Sequence, residues 1–386
     1  MNNDLIERIA PNPSVAADAG QPSQNNAFII PQDEEKCNRF SEREAARKQL
    51  EELQRMSDPN YLPTISMQEL FENVYGCRPP IIDGLLYPGT YLFVGAPKVG
   101  KSFLMAQLAY HVSTGTPLWG FPVRKGTVLY LALEDDYRRL QERLYRMFGT
   151  DGVDNLHFAV AAGQLGVGLE DQLNGFLTDH KGTTLIIIDT LQKIRESGGD
   201  TYSYANDYQV IAKLKQFAEK SGICLLLVHH TRKQQSDDKF DMISGTNGLL
   251  GAADGAFLLH KEKRTDKAAV LDVSGRDQQD QKLNLTRNEK TLAWDLVTLE
   301  TKSWERPSEP LLDKIAGIVN ASSPDWTGTP TELAEALGID MKPHILTMKL
   351  NVNASRLYNE YGIRYEVTRG HTGRKVRLQA DPRDAT

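Results

Sequence analysis

The chain is poor in cysteine, has no long hydrophobic run and carries no net positive charge, and each absence narrows what it can be. Its three cysteines, Cys37, Cys77 and Cys224, are dispersed, odd in number and without metal-ligand spacing. They offer neither a disulfide framework nor a structural zinc site, and a reducing compartment is the simple expectation. The longest apolar runs, such as residues 225–228, fall far short of a bilayer span, and residues 1–14 lack an apolar signal stretch. The expectation is a soluble cytoplasmic protein with no membrane partner. Lys plus Arg number 45 against 51 Asp plus Glu, a formal charge of −6, so no basic coat covers the whole molecule and charge must be sought locally. What is present is 40% hydrophobic and 25% charged residues in a chain of 386, enough for one large or two modest cores.

Residues 10–32 are rich in Pro, Asn, Gln, Ser and Ala and bury too little to offset the entropy of ordering, so they read as a flexible tail. Residues 33–56 carry 13 charges in 24 positions and place Glu44, Lys48 and Glu52 four apart, the spacing of a solvated helix. Leu50 and Leu53 give it a narrow apolar side, compatible with an exposed helix or a subunit-docking arm. Together residues 1–60 read as a flexible N-terminal arm with a charged helix.

Over residues 61–304 short apolar runs alternate with helical patterns, the signature of a helix-covered sheet. Strands are expected at 90–95, 127–134, 156–160, 184–190 and 224–230, all read as central, with helices at 101–115, 135–149 and 207–222. The runs at 255–261, 268–276, 282–287 and 291–297 read as an antiparallel extension joined by tight turns. Prolines at 305–310 mark a linker. A smaller domain at 311–380 follows, with helices at 311–322, 331–338 and 344–362 and strands at 363–370 and 372–379 around a Gly-His-Thr-Gly turn, a winged-helix-like pattern.

Residues 95–102, Gly95, Ala96, Pro97, Lys98, Val99, Gly100, Lys101 and Ser102, fulfil the phosphate-loop pattern between a predicted strand and helix. Gly95 and Gly100 permit a backbone path that turns amides inward, and the helix start adds its own amides for phosphate oxygens. Lys101 can reach terminal phosphates and Ser102 can coordinate Mg²⁺. Asp189 ends the apolar run 185–188, where it can orient magnesium or serve as a helix cap. Glu134 ends another apolar run before Asp135 and Asp136; it is placed to orient and polarise a water, and the acidic trio also fits a helix cap. His229 and His230 follow the run 224–228, where one can sense a terminal phosphate or both can be structural.

In this order, the GAPKVGKS loop, ALEDD with Glu134, IIIDT with Asp189 and LLLVHHTRK resemble the RecA-like ATPase family, particularly plasmid and mobile-element hexameric replicative helicases, over about residues 80–300. The resemblance implies an α/β RecA-like P-loop NTPase core, ATP and Mg²⁺ as ligands, and a homo-oligomer, a hexamer in that family. It makes Lys101, Glu134 and the histidines catalytic, and makes residues 244–259 a mobile loop and helix lining a central channel. It likens Arg276, in a turn after a strand, to the arginine that reaches a neighbouring subunit's nucleotide; a surface salt bridge is the plain alternative, and Arg232, Lys233, Lys261, Lys263 and Arg264 are secondary candidates. The chain departs from common bacterial replicative helicases in lacking a large N-terminal helical domain, and from the RecA-like repair protein with a four-cysteine zinc element in lacking that element.

Charge asymmetry is local. Residues 342–377 hold eight Lys or Arg and two Glu, a balance of +6. Arg369, Arg374, Lys375 and Arg377 on the expected hairpin can contact nucleic-acid phosphates, or the same surface can pack against another subunit. Ser244, Gly245, Thr246, Asn247 and Gly248 suit backbone contact to single-stranded DNA, or form an ordinary surface loop. The expected function is an ATP-dependent single-stranded DNA translocase or replicative helicase, with replication or recombination proteins as partners. The alternative is a DNA-binding regulatory or helicase-loading ATPase of a mobile element.

Overall fold

The computed structural model describes residues 47, 50–51, 53–76, 78–195, 204–230, 248–263, 265–276, 278–301, 308–320, 322–370 and 373–381. The chain divides into a unit Met1–Met67 and a unit Gln68–Thr386. In the first, residues 53–56 are helical, Arg47 pairs with Glu51 at 2.9 Å, and Leu50, Leu53 and Met56 are exposed. The expected flexible tail lies outside the described residues.

The second unit takes up from α1 (Met67–Glu72) and is built on a nine-stranded sheet. Its strands are β1 (Gly89–Gly95), β2 (Thr127–Ala132), β3 (Leu156–Ala159), β4 (Thr183–Asp189), β5 (Cys224–His230), β6 (Gly255–His260), β7 (Ala268–Gly275), β8 (Gln281–Arg287) and β9 (Trp294–Thr301). Their order is β3-β2-β4-β5-β1-β6-β7-β8-β9, parallel from β3 to β6 and antiparallel from there to β9. The helices are α2 (Lys101–Thr114), α3 (Tyr137–Phe148), α4 (Leu169–Asp179), α5 (Tyr204–Ser221) and α6 (Gly248–Ala252).

The period-2 alternation of strand side chains explains why the central runs are apolar throughout. Tyr91, Phe93, Leu185, Ile187, Leu226 and Val228 enter one core, shared with α2, α3 and Trp294. Leu92, Val94, Ile186, Ile188, Leu225 and Leu227 enter the core of the opposite face, shared with α4, α5 and α6. Both faces are covered, so most positions of β1, β4 and β5 are buried. The β3 run differs from the central placement expected of it: it forms the sheet edge and is only half-buried, having one strand neighbour. The second run also stops early, at Ala132, so Glu134 lies in the turn before α3 and Asp136 caps that helix by accepting from the Arg139 amide at 2.8 Å.

A small C-terminal lobe has its own core, centred on Leu312, Ile315, Leu333, Leu346, Leu350, Leu357, Val376 and Leu378. It comprises α7 (Pro310–Ile318), β10 (Asp325–Gly328), α8 (Pro330–Ala336), α9 (Pro343–Tyr361), β11 (Ile363–Gly370) and β12 (Gly373–Ala380). Proline opens all three helices, where its missing N–H costs nothing. A capping box between Thr329 and Glu332 fixes the start of α8. β10 joins the hairpin in a sheet of order β10-β12-β11, a strand the sequence reading did not contain.

Candidate nucleotide site

β1 runs into the turn 96–99 and then α2. The two glycines of this turn serve different ends. A Cβ on Gly95 would stand 2.5 Å from the Leu259 carbonyl oxygen, so glycine is needed there for the close approach of β6 and not for a turned backbone. Gly100 does turn, at φ 113°, and its face is closed by Trp294, whose ring would lie 2.7 Å from a Cβ. Gly100 is the N-cap of α2 and no side chain caps the helix, which leaves its first amides facing the turn for an anion.

Lys101 is 5% exposed and donates to the Gly95 carbonyl at 2.7 Å, the Ala96 carbonyl at 3.1 Å and His230 Nδ1 at 2.9 Å. Burial pushes its ammonium down to about 8, against the pull of Asp189 and Glu134. Asp189 is also buried, and burial raises its carboxyl despite hydrogen bonds from Ser102 and from Tyr130, the latter at 2.9 Å. Glu134 accepts from Thr190 Oγ1 at 3.2 Å and lies 3.9 Å from His230 Nε2. Burial, then the charge of Lys101, lowers the His230 pKa, so its ring is neutral near pH 7: Nδ1 accepts from Lys101 and the one N–H, on Nε2, faces Glu134.

The two histidines separate by strand parity. Val228 and His230 share the face of β5 that carries α2, whereas His229 lies on the other face, near the buried pair Arg195–Asp207 at 2.9 Å. Burial and then Arg195 push His229 down to about 4. Lys101, Ser102, Glu134, Asp189 and His230 thus line one cavity of about 380 Å³, and His229 stands outside it.

Sequence reasoning missed three arginines in the same cavity, Arg139, Arg143 and Arg287. Asp135, just before α3, and Arg139 and Arg143 on it are four apart, which was the available signal; Asp135 pairs with Arg143 at 2.6 Å and with Arg139 at 3.7 Å. Arg143 Nη1 is buried without a hydrogen-bond partner. Arg287 arrives from β8 and stacks on Phe103 at 4.1 Å, with Arg143 over the same ring at 5.1 Å. Burial and the nearby Arg146 and Arg143 lower the Arg287 pKa, a cationic crowding that an anionic ligand would relieve.

A family model described as an AAA domain matches residues 58–236, which include the loop, Glu134, Asp189 and both histidines. These residues lie on a parallel sheet whose β1 and β4 are separated by β5. This part of the chain has a RecA-like P-loop fold. Three solved structures are similar to it in part. One is a DnaB-like replicative helicase, from a study of its interactions with primase, at 14% identity over 66% of this chain and 71% of that one, with a TM-score of 0.48. Another is an ATPase domain at 15% identity over 66% and 98%, TM-score 0.47. The third is a KaiC-like protein from Pyrococcus horikoshii at 14% identity over 58% and 99%, TM-score 0.40. No curated protein matches the chain.

Other expected site residues lie away from the cleft of the ATPase core. Arg276 follows β7, whose Gly275 pairs with Gly255 and, through it, with Tyr91 near the start of β1. It therefore stands at the end of the sheet opposite the phosphate loop, where its guanidinium donates to the Gly251 carbonyl at 3.2 Å. Ser244, Gly245, Thr246 and Asn247, with Arg232, Lys233 and Arg264, lie outside the described residues, while Gly248 begins α6. Lys261 and Lys263 sit in the β6–β7 turn; Lys261 lies over the Trp294 ring at 5.6 Å, and the Lys263 amide donates to Asp266 at 2.9 Å. Arg369, Lys375 and Arg377 project from the hairpin into solvent, with Arg377 3.8 Å from Asp325. Arg374, expected to face phosphates, pairs with Glu72 at 3.0 Å. Among the described residues no helix is long and apolar enough to cross a membrane, and no cluster of three or more His, Cys, Asp or Glu is arranged to hold a metal.

Proposed function

We propose that the chain is an ATP-hydrolysing motor that works as a homo-oligomeric ring, a hexamer, translocates on single-stranded DNA and opens duplex as its output. The observation that carries the hydrolytic part is the linked set Lys101–His230–Glu134–Thr190 beside Asp189 in one cavity. Ser102 and Asp189 fit magnesium: a hydroxyl and a buried carboxylate, bonded to each other, are hard oxygen donors whose charge calls for a cation. Bound there, the ion would neutralise charge on the phosphoryl oxygens. Lys101 exchanges its carbonyl partners for phosphate oxygens, and the first amides of α2 hold the same group. The unpartnered Nη1 of Arg143 and the stacked Arg287 supply further cationic donors. Glu134 orients the attacking water and takes its proton; His230, held between Glu134 and Lys101, is positioned to respond when Lys101 changes partners.

Residues 61–304 form the motor in this reading, 311–380 a winged-helix-like domain, and residues 244–248 with the basic hairpin meet the DNA. Strand displacement on a forked duplex, run alongside ATP hydrolysis, tests it. Lys101→Ala and Glu134→Gln are each expected to lower hydrolysis by about 10²–10⁴-fold and to abolish displacement. Hydrolysis without displacement under any assembly condition would reject the helicase output. It would select the second reading, a DNA-binding regulatory or loading ATPase, which the engagement of Arg374 by the chain's own Glu72 favours.

A further inference from the structure

The helix α1 is six residues long and has no buried side chain, so neither propensity nor an apolar face accounts for its position. It is held against the C-terminal lobe by polar anchors. Asn351, 5% exposed in the middle of α9, donates Nδ2 to the Phe71 carbonyl at 3.0 Å while its Oδ1 accepts from the Tyr365 hydroxyl at 2.9 Å. Both carboxylate oxygens of Glu72 are engaged, one by Gln68 at 2.9 Å and the other by Arg374 at 3.0 Å. The Gln68 hydrogen bond, then the charges of Arg374 and Arg369, hold the Glu72 carboxyl below its usual range. The segment that follows lines a cavity of about 400 Å³ with Ala354, Tyr358 and Tyr365, and Arg78 then donates to the Glu219 carbonyl of α5 at 3.3 Å. One short segment thereby ties the lobe to the motor core.

Arg369 and Arg374 face one another across the hairpin; Arg374 holds a carboxylate that the same chain supplies, and the charge of Arg369 acts on it as well. We infer that Glu72 occupies, in cis, the place a nucleic-acid backbone phosphate takes against Arg374 and Arg369, so that DNA binding by the lobe requires α1 to leave. The inference rests on the proposed DNA-motor reading for its ligand. Its chemistry is that of exchange: a carboxylate and a phosphodiester both accept the guanidinium fork, and a helix with no buried side chain yields more readily than one seated in a core. The lobe is thus closed to DNA while α1 is docked, and its opening also frees the Arg78 tie to α5.

The test is fluorescence anisotropy of the full chain with labelled single-stranded and duplex DNA at one fixed salt concentration. Glu72→Gln keeps the Gln68 and Asn351 anchors compatible with folding but removes the competing charge, and is expected to bind DNA about 5–10-fold more tightly. Glu335→Gln, the same charge change elsewhere in the lobe, should leave affinity within about twofold. Arg374→Gln should weaken binding, and the double variant Glu72→Gln/Arg374→Gln should lose the gain. Hydrogen exchange should also show faster exchange of the 68–76 amides when DNA is added. Equal affinity of Glu72→Gln and the unaltered chain, a gain that survives in the double variant, or a gain matched by Glu335→Gln overturns the inference. So does a lobe that binds another protein and no DNA. Basal ATP hydrolysis and forked-duplex displacement, measured on the unaltered chain, separate a failure of this switch from a failure of the motor assignment.

Discussion

At the scale of single residues, His229 and His230 show how one backbone position changes a side chain's task. His230 reaches the cleft and stands between Lys101 and Glu134, whereas His229 is half-buried on the far face beside Arg195. Its folded value of about 4 lies below the ordinary 6.5, so protons bind the unfolded chain in preference. Stability is then fully present above 6.5 and falls as pH drops through the interval towards 4, by up to roughly 1.4 kcal/mol per pH unit. Urea unfolding of the unaltered chain and of His229→Gln at pH 7 and pH 5 checks this. The unaltered chain should lose roughly 1–2 kcal/mol more than the variant between those conditions, and parallel losses would remove His229 as the source. Strand parity was legible in the sequence, since Val228 and the apolar run before it fix which histidine shares the α2 face. Arg143 was legible through its four-residue spacing from Asp135 and Arg139. Arg287 was not, because nothing local ties the end of β8 to a loop nearly 190 positions earlier.

Elements carry the next level of argument, and the phosphate loop depends on one that comes from far along the chain. Trp294 at the start of β9 is fully buried against Gly100; its indole donates to the Gly100 carbonyl at 3.4 Å, and Gln107 of α2 exchanges two hydrogen bonds with its backbone, at 2.9 and 2.8 Å. The antiparallel extension is therefore the outer wall of the nucleotide site. Trp294→Ala should cost about 3–5 kcal/mol and weaken nucleotide binding, read by thermal unfolding and by a fluorescent nucleotide titration. Gly100→Ala combines a left-handed backbone with a contact at 2.7 Å and should lose nucleotide binding even where the fold survives. Normal nucleotide affinity in both variants would show that the wall is dispensable. Most elements were legible because apolar runs and helix periods are local. The edge position of β3 and the existence of β10 were not, because strand neighbours are a long-range matter and Asp325–Gly328 is only four residues long. The short α1 was missed for another reason: Met67, Leu70 and Phe71 have helical spacing, but six residues are too short a window to read.

For the whole molecule, the placement of Arg276 decides how copies would have to meet. β7 ends beside Gly255, paired with Tyr91, whereas the phosphate loop leaves β1 at Gly95. Four residues of strand separate the two levels, about 13 Å along the sheet, and the Arg276 side chain already points to Gly251. It cannot serve the loop of its own chain. In the proposed motor, a site at one end of a subunit and the arginine that completes it at the other define a head-to-tail contact, which closes into a ring when the rotation between copies permits. In that motor, Arg276 of one copy stabilises charge on the phosphoryl group held by the next. Arg276→Ala and Lys101→Ala should each be inactive in ATP hydrolysis when assembled alone. When equal amounts are mixed and reassembled, an interface is complete where an Arg276→Ala copy supplies Lys101 and its Lys101→Ala neighbour supplies Arg276. Random placement gives about a quarter of interfaces in that state, and hydrolysis should recover to about that fraction of the unaltered protein if sites act independently. Recovery requires both exchange of subunits, checked by light scattering and by mixing differently labelled copies, and completion in trans. Activity of Arg276→Ala alone at the unaltered level, or no recovery in rings shown to be mixed, would leave Arg276 as a structural tie between β7 and α6 and would require another residue at the subunit contact.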